Sequence, residues 1–326
     1  MDQRTFVIVM LALSTGGCAG IQSSLDPTGS EATRIANLYW WMVSGAVVLW
    51  LAVVALGLYY GRPHPAAPSR KRDRFLIMGA GIALPIVVLT ALLAYGLAML
   101  PSLVARAPEG SLRVQVVGEQ WWWRVRYMTA DGTIELANEI RLPVGAPVQF
   151  ELASDNVIHS FWIPSLGGKM DMIPGRTTYL ALHPQRTGVF AGACAEYCGT
   201  SHAFMRFLVQ VLERDDFAEW LEHQATPARG PEGPLAARGE EVFAASGCGA
   251  CHTVRGTTAS GVIAPDLTHV GGRLSIGAGM LPADQSTVTR WVADPERIKP
   301  GVHMPPFHML TSGDLEALGA YLAGLR

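Results

Sequence analysis

Charge is what this chain has least of. Asp, Glu, Lys and Arg make up 16% of its 326 residues, and they nearly cancel to a formal net charge of −2. Binding along a phosphate backbone needs a cationic excess, so nucleic acid is excluded as a partner. Hydrophobic residues reach 49%, a balance that leans towards a membrane protein. The scarcity is complete in two runs, residues 38–60 and 75–100, which hold no charged side chain. Each exceeds the roughly 20 residues a helix needs to cross a bilayer, which argues against two ordinary core helices. Tyr39, Trp40, Trp41, Tyr59 and Tyr60 cluster at the ends of the first run, as interfacial belts do. Between the runs, Arg62, Arg70, Lys71, Arg72 and Arg74 face the single acid Asp73. Positive loops stay in the cytoplasm. The reading is a transmembrane hairpin with 61–74 as its cytoplasmic loop, and everything after about Val104 is extracytoplasmic. Pro85 is expected to kink the second span.

Cysteine is also scarce, with five in the whole chain. Residues 1–17 combine Arg4, an apolar run from Phe6 to Leu13 and small residues, the pattern of a secretory signal. Small residues directly before Cys18 point to lipoprotein processing, with Cys18 as the lipidated terminus. Thr15 departs from that pattern, and plain signal cleavage is the alternative. Helical periodicity is missing from 111–213. Alternating runs at 112–117, 122–127, 147–152 and 178–182, punctuated by Asp131-Gly132 and the prolines Pro143 and Pro147, predict a β-sandwich or barrel. A short helix is expected over 213–224, then a Pro- and Gly-rich linker over 225–234. Helices at 286–292 and 312–325, the second with a Ser or Thr cap, make the remainder all-α.

Two clusters carry chemistry. Residues 194–205 read C-A-E-Y-C-G-T-S-H-A-F-M. Soft sulfur plus imidazole suits copper better than a hard cation. Cys194 and Cys198 can bridge two copper ions, each taking one histidine, with His202 serving one and Met205 a weak ligand. A Cys194–Cys198 disulfide is the alternative in an oxidising compartment. The second cluster, Cys248-Gly-Ala-Cys-His252, is the C-x-x-C-H attachment motif of a c-type haem, with His252 as axial ligand. Met280, His303, Met304, His308 and Met309 are candidates for the other axial position. With Cys18 given to lipid, Cys194 and Cys198 to copper, and Cys248 and Cys251 to haem, no cysteine is left for a structural disulfide.

Here the sequence resembles subunit II of haem–copper cytochrome c oxidase. Cys194, Glu196, Cys198, His202 and Met205 match every fixed position of that family's C-x-E-x-C-x-x-x-H-x-x-M motif. The run from Asp155 through His159 to Pro164 matches D-x-x-x-H-S-F-W-x-P, and Lys169 to Arg176 matches K-x-D-x-x-P-G-R. Gln120, Trp121 and Trp123 match Q-W-x-W. The C-terminal part resembles a class I cytochrome c: Pro300 to Pro306 is like its Met-Pro loop, and Ala264-Pro265-Asp266-Leu267 is like G-P-x-L with Ala for Gly. The whole resembles a caa(3)-type subunit II with a fused cytochrome.

The resemblance implies a cupredoxin-like Greek-key β-barrel over 108–215 and an all-α class I cytochrome c domain over 235–326. It implies a binuclear copper centre, CuA, held by His159, Cys194, the Glu196 backbone carbonyl, Cys198, His202 and Met205, with His159 on the loop after a strand. The Glu196 side chain would reach Mg²⁺ or Mn²⁺ shared with subunit I. Haem c would be held by Cys248, Cys251, His252 and Met304. One indole of the Trp121–Trp123 run should lie outward between copper and an electron donor, and the resemblance puts that role on Trp121. Met170 and Met172 are expected to pack rather than ligate, in a loop that contacts a partner. The implied partners are oxidase subunits I and III and a donor cytochrome c, in a bacterial plasma membrane. Electrons would pass from haem c to CuA to haem a, and oxygen would be reduced in subunit I. The alternatives are the corresponding subunit of a nitric oxide reductase-type complex and a copper-handling assembly protein. A quinol-oxidase subunit II is disfavoured, because that relative lacks the copper ligands.

Overall fold

The computed structural model describes residues 17–62, 69–130 and 132–326. The signal sequence expected over 1–17 lies outside these but for its last residue, as does the middle of the 61–74 loop. Of the described residues, those within 34–105 form one compact unit and the others a second.

The first unit is built on α1 (Ser30–Tyr60) and α2 (Arg70–Val104), both long and apolar enough to cross a membrane. Their most apolar windows bury nothing inside the protein. Exposed to water, such surface would cost about 25 cal/mol per Å²; in hydrocarbon it costs nothing. Both helices outrun the charge-free segments. The basic cluster placed in the cytoplasmic loop is partly helical instead, since Arg70–Arg74 forms the first turns of α2. None of R-K-R-D-R breaks a helix. Ahead of Pro85 the helix widens into a π-helical stretch, Phe75–Ala83, before the α-form resumes at Leu84. Proline lacks an N–H and crowds the carbonyl four residues back, and a wider turn accommodates both.

Among the described residues the second unit contains ten strands: β1 (Leu112–Glu119), β2 (Trp122–Thr129), β3 (Gly132–Ala137), β4 (Glu139–Pro143), β5 (Val148–Ser154), β6 (His159–Trp162), β7 (Met170–Met172), β8 (Thr178–Leu182), β9 (Gly188–Cys194) and β10 (Arg206–Leu212). They form two five-stranded sheets, β3-β2-β1-β5-β8 and β4-β10-β9-β6-β7. Pairs β1·β5 and β4·β10 are parallel and the others antiparallel. The inner faces meet in an aromatic core. Phe161 stacks on Phe207 with ring centroids 4.9 Å apart, and Trp123 meets Phe207 edge-on at 5.2 Å. The residues leading into α1 are stitched to this sandwich: Thr28 and Gly29 N–H groups donate to the Ser165 carbonyl, and the Glu31 carboxylate accepts from the His183 N–H.

Beyond β10, α3 (Arg214–Ala225) leads into the expected linker, which is not a free spacer. Ala228 N–H donates to the Arg255 carbonyl, and the Arg255 guanidinium returns bonds to the Gln224 and Ala225 carbonyls. The haem-motif part then contains α4 (Gly233–Ala245), α5 (Gln285–Ala293), α6 (Pro295–Ile298) and α7 (Ser312–Gly324). Asp284 and Thr311 cap α5 and α7 by accepting from Thr287 and Asp314 N–H groups, which ties up end donors the helix itself cannot satisfy. Phe243, Val254, Leu318 and Tyr321 centre a second core.

Candidate copper and haem sites

The first cluster is set by two neighbouring strands. β9 ends at Cys194 and β10 starts at Arg206, which pairs with Ala193. Cys194 N–H donates to the Met205 carbonyl at 3.0 Å, so the ladder closes the loop at its base. A tight turn over His202–Phe204 brings His202 back towards the cysteines. Cys198 Sγ lies 3.8 Å from Cys194 Sγ, 3.5 Å from His202 Nδ1 and 3.8 Å from Met205 Sδ. The Glu196 carbonyl lies 3.1 Å from Cys194 Sγ.

His159 arrives from another strand. It is not on a loop, as expected, but is the first residue of β6, paired with Met172. Phe161 two residues on pairs with Cys194, which places β6 beside the cysteine strand. His159 is fully buried. Its Nε2 meets Asn156 Oδ1 at 3.1 Å. That bond holds the proton on Nε2 and leaves the Nδ1 lone pair facing Cys194 Sγ at 3.8 Å. Gly118 supplies the room: a Cβ there would lie 2.7 Å from the imidazole.

Cys194 and Cys198 are not bonded to each other, and their 3.8 Å separation is far beyond the roughly 2.05 Å of a disulfide. The contact between the two sulfurs lowers the pKa of Cys194 and, with burial, raises that of Cys198. The paired sulfurs thus carry His159 Nδ1 and the Glu196 carbonyl on the Cys194 side, and His202 Nδ1 and Met205 Sδ on the Cys198 side. This soft and borderline donor set fits copper and not a hard cation. Among the described residues, the one group of three or more His, Cys, Asp or Glu at metal-binding distance is His159, Cys194 and Cys198. Glu196 has its side chain exposed.

The second cluster winds as one tight turn over Cys248–Ala250, with His252 N–H donating to the Cys248 carbonyl at 3.0 Å. Both thiols and the imidazole therefore spring from a single turn. His252 Nδ1–H donates to the Pro265 carbonyl at 2.7 Å, leaving Nε2 to ligate. Burial lowers the pKa of His252, keeping the neutral form a metal needs. Burial raises the Cys248 thiol. Of the axial candidates, Met304 packs against the second core with Phe307 and Leu310. Met309 is 69% exposed, and His303 and His308 are exposed. The set fits a covalently attached haem.

The three consecutive tryptophans divide their tasks. Trp123 is core and Trp122 lies under the Arg124 guanidinium at 4.7 Å. Trp121, expected outward, is 9% exposed. Its Nε1–H donates to the Cys198 carbonyl at 2.9 Å, joined there by Gln120 Nε2 at 2.7 Å. Gly301, from the segment before Met304, covers the ring so closely that a Cβ would stand 2.7 Å from it. Met172 is buried and Met170 packs on the core, as expected of packing residues. Gly118, Asn156, Pro265, Lys299 and Gly301 were not foreseen. Gly118, Lys299 and Gly301 act on residues more than 40 positions away, where no spacing announces them, whereas Asn156 lies three residues before its partner and Pro265 thirteen after.

Residues 129–212 match the family described as "Cytochrome C oxidase subunit II, periplasmic domain", and residues 236–326 match "Cytochrome c". The chain is 33% identical to cytochrome c oxidase subunit 2 of Alkalihalophilus pseudofirmus, over 99% of this chain and 97% of that one. It is 34% identical to cytochrome c oxidase subunit 2 of Bacillus subtilis, over 68% of this chain and 64% of that one. Among solved structures, the periplasmic domain of subunit II of cytochrome oxidase (CoxB) of Bradyrhizobium japonicum is 32% identical, covering 36% of this chain and 96% of that one, with a TM-score of 0.34.

Proposed function

The chain belongs to the cytochrome c oxidase subunit II family and carries a cytochrome c domain, and from that premise we propose that it relays electrons from haem c through Trp121 to a two-copper CuA centre. As a member it is part of an oxidoreductase complex, a two-pass bacterial membrane protein with an extracytoplasmic C-terminal part. Copper and haem c are the groups its two domains imply.

The finer reading assigns residues 108–215 to the copper domain and 235–326 to the haem domain. His159, Cys194, the Glu196 carbonyl, Cys198, His202 and Met205 hold copper; Cys248, Cys251, His252 and Met304 hold haem c. The Glu196 carboxylate reaches Mg²⁺ or Mn²⁺ at the border with subunit I. Cys18, exposed at the start of the described chain, carries lipid, which the mass of the mature N-terminus tests. A donor cytochrome c delivers electrons, and haem a of subunit I receives them, with subunit III alongside.

The bound groups supply one-electron redox chemistry, and this chain's residues do the rest. The β9–β10 ladder holds the cysteine loop rigid, so donor positions change little between redox states. Asn156 and the Pro265 carbonyl hold the ring protons of His159 and His252 away from the metals. One observation carries the path: the Trp121 indole bonds the Cys198 carbonyl while the far end of its ring lies against Gly301.

Metal and haem analysis of the purified chain tests this, with two coppers and one covalent haem expected. Cys198→Ser should keep the haem and abolish the mixed-valence copper spectrum; an unchanged spectrum refutes the copper assignment. Oxygen uptake by the purified complex separates an oxidase from a nitric oxide reductase. Buried donors such as His159 and Met205 weigh against a copper-handling protein, which needs accessible ligands.

A further inference from the structure

Lysine is the wrong residue to bury, yet Lys299 is 2% exposed. Taking its head group from water costs several kcal/mol unless hydrogen bonds replace the lost hydration. Among the described residues no carboxylate pairs with it. Its Nζ donates instead to two backbone carbonyls. One is Trp121, on the copper domain; the other, at 3.5 Å, is Gly277, on the haem domain. Burial brings its pKa down to about 7. A neutral amine has two hydrogens and an ammonium three, so either form can bond both carbonyls.

The next two residues grip the same place. Ser201 Oγ, in the cysteine loop, donates to the Pro300 carbonyl at 2.5 Å. Gly301 lies on the Trp121 ring, with its N–H held by the Glu296 carboxylate at 3.0 Å. Its φ of +82° is one that glycine adopts freely. Other bonds also join the two domains, among them Arg206 N–H to the Ala278 carbonyl and Leu274 N–H to the Glu139 carboxylate. Among these contacts, those of Lys299 and Gly301 reach Trp121 itself, and both residues belong to the segment that runs on to Met304.

We propose that Lys299 is a positioning residue for internal electron transfer: it clamps the Met304 segment onto the copper domain and thereby keeps the Trp121 indole between the two redox sites. The proposal rests on the electron path given above. A lysine at this junction bonds one carbonyl on each side. The clamp therefore holds only while both domains are docked.

The chain has three lysines, Lys71, Lys169 and Lys299, which makes amine acylation followed by mass spectrometry a direct test on the full-length, cofactor-loaded protein. Lys169, with 45% of its side chain exposed, should react readily, and Lys299 at least about tenfold more slowly, the ratio expected for an interface closed by 1.4 kcal/mol or more. Lys299→Met keeps the length and removes the donor. Amide exchange at Arg206 and Leu274, whose N–H groups bond across the interface, should then speed up about tenfold or more. Haem-to-copper transfer should slow while both optical spectra stay unchanged. Gly301→Ala leaves Lys299 in place and pushes a methyl into the indole, so it should slow the same transfer even if Lys299→Met fails to fold. Acylation of Lys299 as fast as Lys169 would overturn the clamp, and so would Lys299→Met protein with unchanged exchange and unchanged transfer. Missing copper or haem in the wild type would instead sink the electron path, leaving the acylation and exchange results to stand on their own.

Discussion

Gly118→Ala is the sharpest test of the copper site, because it changes no donor atom. The added methyl would lie 2.7 Å from His159 Cδ2 and 3.0 Å from Cγ. Carbon atoms in contact prefer about 3.5–4.0 Å, so the overlap is about 0.8 Å or more. The imidazole has nowhere to go. It is fully buried, with Trp123 at 6.2 Å between centroids, Asn156 on Nε2 and Cys194 facing Nδ1. Overpacking of this kind costs about 1–3 kcal/mol of stability. It also moves a nitrogen that must point at the metal, and misoriented ligands typically lose about 10–100-fold in metal affinity. Copper affinity measured by chelator competition should fall by that factor, the mixed-valence spectrum should change, and haem content should stay at one per chain. A variant that melts earlier but binds copper with unchanged affinity and spectrum would refute the reasoning, because His159 would then be a core residue and no ligand.

Other outcomes follow from the same geometry. Met304→Ala should lower the haem potential and alter its spectrum while sparing copper, whereas Met309→Ala, at a side chain 69% exposed, should do neither; redox titration of both variants checks this. Tyr127→Phe should cost about 1–3 kcal/mol in denaturant unfolding, since the buried hydroxyl accepts from Arg141 N–H at 2.7 Å and donates to its carbonyl at 2.9 Å. His269 has its pKa lowered from 6.5, first by burial and then by nearby cations, against a bond to the Thr226 carbonyl that raises it. Below pH 6.5 the unfolded chain therefore takes up the proton first, and stability is lost as pH falls through the folded value. Proteolysis of the 226–232 segment should accelerate in that acid window, and His269→Gln should flatten the dependence.

Much of the site could be read from residue order because its chemistry is local. Cys194, Glu196, Cys198, His202 and Met205 come from one hairpin loop, and Cys248, Cys251 and His252 from one turn, so ligand spacing survives in the sequence. The spans were equally plain, since a bilayer selects on composition over about 20 residues. Strands were harder. β5 and β8 stood out by alternation, but β9, G-V-F-A-G-A-C, buries Gly192 and Cys194 on its inner face and carries few of the β-branched residues that mark a strand. β7 spans three residues, too few for any period to appear. The residues around His159 could be proposed as a donor's setting but not read as a strand, because its burial depends on β7 and β9 pairing on either side.

By itself the sequence determined which two domain types the chain carries, on which side of a membrane they fall, and which sulfurs and imidazoles lie close together in two short motifs. Tertiary structure alone decided what holds those atoms in place: that Gly118 leaves space for an imidazole, that Trp121 is covered and not exposed, and that Lys299 reaches its carbonyl across 178 positions of chain. The division has a physical cause. Ligand identity and hydrophobic length are properties of neighbouring residues, whereas the fit of a missing Cβ or a buried amine depends on surfaces that meet only after two sheets and a helical domain have packed.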